Sequence, residues 1–211
     1  VNLSQICIRA RSLAGIRSAA LLPDEEIIEA VNEFNYNLMT AYDWPQLVGS
    51  SVLTCVSGSD TVAYPSAVAV VLSLHNEDDA VATNEMLRGI SQTEMDLLGK
   101  KSAGRPSVFV ADAMERVVTF SPTPDAAYKL RLRFKRRITP LLLSGDAPLF
   151  DEEFHLMFAQ AAASAILRAH GGDPARIQNL DVRVQASLGR ARKRYLMNPD
   201  RTALPLPSRW F

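Results

Sequence analysis

Apolar residues recur at helical spacing from Ile27 and Ile28 through Val31, Phe34 and Leu38 to Met39. Pro23-Asp24-Glu25-Glu26 stands in front of them. Proline is tolerated in a first helical turn and carboxylates suit the positive helix end, so a helix is expected to start there. Trp44-Pro45 ends it, because the residue before a proline is driven out of the helical region. The segment before it, Val1 to Ala20, intersperses Arg9, Arg11 and Arg17 among apolar residues. A signal peptide would place its charge first and an unbroken apolar stretch after it. This segment therefore reads as a short amphipathic helix or arm.

The pattern then changes to a period of two. Ser51 to Ser57 reads as a strand, Gly58-Ser59-Asp60 as a turn and Thr61 to Tyr64 as a second strand, which together are a hairpin signal. Ala67 to Leu74 is a continuous apolar run, the mark of a buried strand, and Asn76-Glu77-Asp78-Asp79 after it reads as an exposed acidic loop. Ser91 with Glu94 three residues on has the spacing of a capping box and predicts a short helix to Leu98. Gly99 to Pro106 reads as a basic loop. Strands are expected at Ser107–Ala111, Arg116–Ser121 and Tyr128–Arg137, with Pro122 to Asp125 as the turn before the last. In that last strand Tyr128, Leu130, Leu132 and Phe134 alternate with Lys129, Arg131, Arg133 and Lys135, which puts an apolar set on one face and a basic set on the other.

Helical spacing returns at Asp151-Glu152-Glu153 and runs through an alanine-rich stretch to Ala169, where Gly171-Gly172 stops it. Asp173 as N-cap and Pro174 at the first helical position open a final helix. Its apolar stripe is Ile177, Leu180, Val184, Leu188, Ala191 and Tyr195, and its other faces carry Arg176, Arg183, Arg190, Arg192, Lys193 and Arg194. The residues from Asn198 to Trp210-Phe211 include three prolines and read as an extended arm. The expected fold is α+β: an antiparallel sheet with hairpins, an N-terminal helix, two long C-terminal helices and an extended tail. Residues 1–197 form one domain in this reading, with a central β region at about 51–137, and 198–211 form the arm.

Composition refines the picture in two places. The 211 residues carry no net charge, yet residues 1–127 hold 8 basic and 16 acidic side chains while 128–211 hold 15 and 7. Such asymmetry points to an interaction surface, or to faces that intermix in space. Cys7 and Cys55 are far apart and read as small buried hydrophobes, with a disulfide between them left open. No run of 18 or more apolar residues occurs, so no membrane-spanning helix is expected.

Catalytic patterns are sparse. Glu152 and His155 share a helix face, but a dinuclear carboxylate site needs a second such pair and further glutamates. His75 beside the acidic loop has no better claim. Gly99-Lys100-Lys101 lacks the rest of a phosphate loop, and 76–79 lacks the glycine and final glutamate of a calcium loop. The expectation is a protein that is not an enzyme and uses no cofactor or metal. Three features suggest binding instead: the basic face of the last strand, the arginine rows of the last helix, and the tail, whose Leu204, Leu206, Trp210 and Phe211 could seat in a partner's groove or fold back on the chain. Aromatic residues for base stacking are missing from the basic strand face, since Tyr128 and Phe134 lie on the other side.

In this order the pieces resemble the head-to-tail adaptor (connector) proteins of tailed bacteriophages, of the tail-accessory-factor type. The resemblance spans roughly residues 20–171. It is carried by Tyr42-Asp43-Trp44-Pro45-Gln46-Leu47, the run Thr54 to Pro65, Gly104-Arg105-Pro106-Ser107-Val108-Phe109, the run Val117 to Asp125, Tyr128 to Leu132, and Asp146-Ala147-Pro148-Leu149-Phe150 before the alanine-rich helix. The turn before Val117 departs from it, with Ala113-Met114-Glu115-Arg116 where glycine is usual. The resemblance implies a homo-oligomeric ring, by analogy a dodecamer, in the neck of the virion and assembled in the bacterial host cytoplasm. Its partners would be the portal protein, a downstream tail or nozzle protein, and DNA passing through without sequence recognition, with no membrane involved. Arg190, Arg194, Tyr195, Leu204, Leu206, Trp210 and Phe211 would be portal-docking residues. Lys129, Arg131, Arg133 and Lys135 of one copy would meet Glu77, Asp78 and Asp79 of the next. The alternatives are another virion component, such as a head-completion, stopper or tail-tube subunit, and a nucleic-acid-binding module.

Overall fold

The computed structural model describes residues 1–16, 18, 20–77, 85–98 and 102–197. Its helices are α1 (Leu3–Ala14), α2 (Asp24–Ala41), α3 (Gln92–Leu97), α4 (His155–Ala169) and α5 (Pro174–Tyr195). Its strands are β1 (Val48–Thr54), β2 (Thr61–Ala63), β3 (Val68–Asn76), β4 (Met86–Gly89), β5 (Ala103–Gly104), β6 (Val108–Asp112), β7 (Val117–Ser121), β8 (Thr123–Pro124) and β9 (Lys129–Arg136). The α+β expectation, with an antiparallel-dominated sheet and terminal helices, is met. The chain groups into two compact units, a helical one (Val1–Gln46 and Ile138–Phe211) and a β one (Leu47–Arg137). The expected tail from Asn198 lies outside the described residues.

In the helical unit α4 is the centre, and α1, α2 and α5 all pack on it. Ala159, Ala162 and Ala163 of α4 are fully covered, because small side chains let neighbouring helix axes approach to about 8–10 Å. The stops follow local chemistry. Gly171 takes a left-handed φ of 66°, and the Gly172 N–H donates to the Leu167 carbonyl at 2.6 Å, so orphan carbonyls at the end of α4 are satisfied. Asp173 caps α5 by accepting from the Ala175 N–H, with Pro174 in the first turn as expected. The stretch Asp151-Glu152-Glu153 enters α4 through a 3₁₀ turn, Glu152–Phe154. An aromatic cluster closes this unit: Trp44 lies edge-on to Tyr42, Phe150 and Tyr195, with ring centres 5.3, 4.9 and 6.4 Å away.

In the β unit a seven-stranded sheet runs in the order β1-β9-β3-β4-β6-β7-β2, antiparallel except for the parallel β4–β6 pair, and β5 and β8 form a separate short parallel pair. The expected hairpin between 51–57 and 61–64 is not formed: β1 pairs with β9 and β2 with β7. The turn at 58–60 does bend the chain, but its two flanking strands go to opposite edges of the sheet, β1 pairing with β9 over seven positions and β2 with β7 over three. The first strand also begins at Val48, three residues earlier than expected, since its register carries pairing from Thr54↔Lys129 to Val48↔Lys135. Strand β4 was not anticipated. Its four residues are too few for a period to show.

The run Ala67 to Leu74 is a strand, as expected, but it is not buried throughout. Two register shifts against β9, between Val68 and Val70 and between Val71 and Ser73, change its alternation. Val68, Val71 and Leu74 then face the core at a spacing of three, and Val70 is left 53% exposed. A bulge inserts one extra residue on one strand, so an unbroken apolar run can serve a single face. The core itself gathers Leu53, Leu74, Leu87, Phe109, Val118, Phe120, Leu130, Leu132 and Phe134. Short helix α3 has the capping box read from its sequence: the Ser91 hydroxyl accepts from the Glu94 N–H, and the Glu94 carboxylate accepts from the Ser91 N–H. The turn that lacks glycine puts Arg116 at a left-handed φ of 56°. Asp112 Oδ1 stabilises that turn by accepting from the Met114 and Glu115 N–H groups at 2.8 and 3.0 Å.

Candidate functional site

Strand β9 lies between the edge strand β1 and β3, so its basic side chains stand one strand in from that edge on the sheet's outer face. Pairing sets the rows across that face: Val52, Arg131, His75 and Met86 in one, Ser50, Arg133 and Ser73 in the next, Val48, Lys135 and Val70 beyond. Lys129 lies opposite Thr54. The alternation read from the sequence holds: Leu130, Leu132 and Phe134 are buried in the core, while Lys129 and Arg131 are exposed and Arg133 and Lys135 half-buried. Exposed apolar side chains accompany them, with Val52 52% and Met86 62% exposed. These were not found in the sequence, since Val70 was hidden in the apolar run and Met86 in the missed strand.

The acidic partner proposed from the sequence behaves differently. Asn76 is not in an exposed loop: it is the last residue of β3 and is buried. Glu77 follows directly, its N–H donating to the Lys129 carbonyl at 2.8 Å and its carboxylate pairing with Arg131 of the same chain. Asp78 and Asp79 lie outside the described residues. His75 contacts the Ser73 hydroxyl at 3.0 Å.

At the end of α5 the candidate docking residues separate into two kinds. Tyr195 is buried, its ring packed against Trp44, Phe150 and Phe154. Burial pushes its hydroxyl above the ordinary tyrosine range, with Asp151 adding to the effect. Arg194 pairs with Asp151 at 2.9 Å and also with Glu153. Both residues therefore hold α5 to the turn before α4. Arg190 is exposed and donates to the Ser187 hydroxyl of its own helix, at 2.9 Å. Leu204, Leu206, Trp210 and Phe211 lie outside the described residues.

The Glu152–His155 pair is not a ligand set. His155 is buried, and its two ring nitrogens lie 2.7 Å from the carbonyl oxygens of Val1 and Phe150. Glu152 instead meets the Val1 ammonium group. His170 contacts Glu26 at 2.6 Å. Among the described residues no group of three or more histidine, cysteine, aspartate or glutamate side chains is placed to hold a metal ion, and no helix is long and apolar enough to cross a membrane. Cys7 and Cys55 are buried thiols, one in each unit, and burial raises the Cys7 thiol above its usual range.

A family model described as the SU10 adaptor protein matches residues 1–205. The chain belongs to the SU10 adaptor protein family. No curated protein matches it. As an SU10 adaptor it is a structural protein of a phage virion, one that interacts with portal and tail proteins. The phage-adaptor resemblance carried by the segments from Tyr42 to Phe150 is thus the family of the whole chain.

Proposed function

We propose that this SU10 adaptor assembles as a ring, by analogy of twelve copies, beneath the portal, extends the DNA channel and forms the platform on which the tail attaches. It acts by docking and not by catalysis. DNA passes through without being read in sequence, the ring sits in the neck of the virion, and assembly takes place in the bacterial host cytoplasm. The observation that carries this reading is the outer face of the sheet. Lys129, Arg131 and Arg133 stand in one column there beside the exposed side chains of Val52, Val70 and Met86. An apolar patch threaded with cations favours a partner of opposite charge over water. The cationic end of α5, with Arg190 exposed and the proline-rich arm following, is the portal-docking element. Leu204, Leu206, Trp210 and Phe211 supply the anchors in that arm.

The test is the mass, by light scattering on a sizing column, of the protein mixed with its cognate portal ring. One discrete, saturable, heavier complex is expected, and truncation at Asn198 is expected to weaken it at least tenfold. No complex with both proteins folded refutes the proposal, and undiminished affinity after truncation refutes the docking role of Trp210 and Phe211.

A further inference from the structure

Helix α2 carries an exposed acidic stripe. Glu25, Glu29 and Glu33 are exposed and four residues apart, so they fall within a sector of about 80° on one side of the helix. Tyr36, 60% exposed, continues the same stripe. Among the described residues these three carboxylates make no ion pair, whereas their neighbours do: Asp24 holds Arg11 and Glu26 holds His170. Successive carboxylates on such a stripe are about 6 Å apart along the axis and span about 12 Å. On the sheet's outer face Lys129, Arg131 and Arg133 alternate along one strand, about 6.7 Å apart, and span about 13 Å.

We infer that the α2 stripe Glu25-Glu29-Glu33 of one copy docks on the Lys129-Arg131-Arg133 column of a second copy, as the repeating contact between neighbours in the ring. The inference rests on the ring reading and names its acidic half, which the sequence had placed in the 77–79 segment. Glu77 is already bound to Arg131 of its own chain, and a guanidinium with five N–H donors can serve a second carboxylate as well. Lys129 and Arg133 make no ion pair among the described residues. The spacing discriminates between cation sets. On α5, Arg183 and Arg190 are seven residues apart, about 10.5 Å, too far for a carboxylate repeat of about 6 Å, and Arg194, about 6 Å beyond Arg190, is already held by Asp151 and Glu153 of its own chain. Tyr36 would add apolar contact with Val52, Val70 and Met86, and an acidic face meeting a basic face is a head-to-tail contact, the kind that builds a ring when its rotation closes.

Two variants test the pairing: Glu25→Lys/Glu29→Lys/Glu33→Lys, and Lys129→Glu/Arg133→Glu, which leaves the Arg131–Glu77 pair in place. Assembly is followed by light scattering, with and without the portal ring, after circular dichroism has matched each fold to wild type. Each variant alone is expected to lose assembly at least tenfold. An equimolar mixture is expected to recover it, because in an alternating ring one contact is the wild-type pairing and the other sets opposite charges against each other at two of its three positions, the third being Arg131, which Glu77 already pairs. If one variant assembles like wild type, or if both fail and the mixture does not recover, the pairing is overturned while the ring reading stands. A wild-type chain that stays monomeric in both conditions overturns the ring reading and the pairing with it. Should either variant misfold, Glu29→Cys/Arg131→Cys, the middle position of each row, serves in its place: oxidation is expected to give a ladder of covalent multimers, since Cys7 and Cys55 are buried, and no ladder from assembled protein overturns the pairing.

Discussion

Replacing Trp44 by alanine tests whether the aromatic cluster holds the helical unit together. The side chain is 1% exposed, and its ring stacks edge-on against Tyr42, Phe150 and Tyr195. Its indole N–H donates to the Leu38 carbonyl at 2.7 Å, near the end of α2 where carbonyls lack helical partners. A tryptophan of this kind buries about 200 Å². At about 25 cal/mol per Å² that is about 5 kcal/mol. Measured truncations of buried aromatics cost about 3–5 kcal/mol, so about 4 kcal/mol is expected for Trp44→Ala. That is a large share of the roughly 5–15 kcal/mol by which a domain is stable. Trp44→Phe keeps most of the ring packing and removes the hydrogen bond, for a cost of about 1–2 kcal/mol. Urea unfolding followed by circular dichroism at 222 nm reads mainly α1, α2, α4 and α5. Hydrogen exchange gives a second measure: the last turn of α5 should exchange faster in Trp44→Ala, because Tyr195 loses a wall of its site. A loss below about 1 kcal/mol for Trp44→Ala, with unchanged exchange in α5, would refute the reasoning.

The tests of portal binding and of charge pairing are given above, and two smaller predictions join them. Asp146 accepts the N–H groups of Leu143 and Leu142 at 2.8 and 2.7 Å, which holds its carboxyl below the usual aspartate range. Its folded pKa therefore lies below the unfolded value of about 3.9, and its contribution to stability is present above that value and lost as pH falls through the folded pKa. Asp146→Asn should lower the melting temperature at neutral pH, with the gap to wild type closing below about pH 4; a gap that stays constant with pH contradicts the assignment. Arg116 has a left-handed φ that costs an L-residue about 1–2 kcal/mol, and glycine would lose part of that gain through chain entropy. Arg116→Gly should raise stability by up to about 1 kcal/mol in thermal unfolding, and a clear loss would mean that the arginine side chain contributes more than its backbone strain costs.

Much of the chain was legible because the signals are local. Helix α5 starts at Asp173-Pro174 and buries Leu180, Val184, Ala191 and Tyr195, as its stripe predicted. The capping box of α3, the alternation of β9 and the stop at Gly171-Gly172 each depend on residues within one or two turns of each other. The segments from Tyr42 to Phe150 also sufficed to suggest the adaptor family.

What the sequence by itself determined, then, is the order of elements, the apolar face of each one, and the concentration of acid in the first part of the chain and base in the last. Only the tertiary structure decided which strands pair. Residues 51–57 and 61–64 look like a hairpin, yet β1 belongs with β9, some eighty residues on. Such a choice depends on the total burial and hydrogen bonding of the whole sheet, which no local window contains. The same holds for the bulges that turn Val70 outward, for the carbonyls of Val1 and Phe150 that enclose His155, and for the Glu77–Arg131 pair. Periodicity states which side chains share a face, but the partner across that face is set by segments distant in the chain, and it is the partner that makes an acidic residue spent or available.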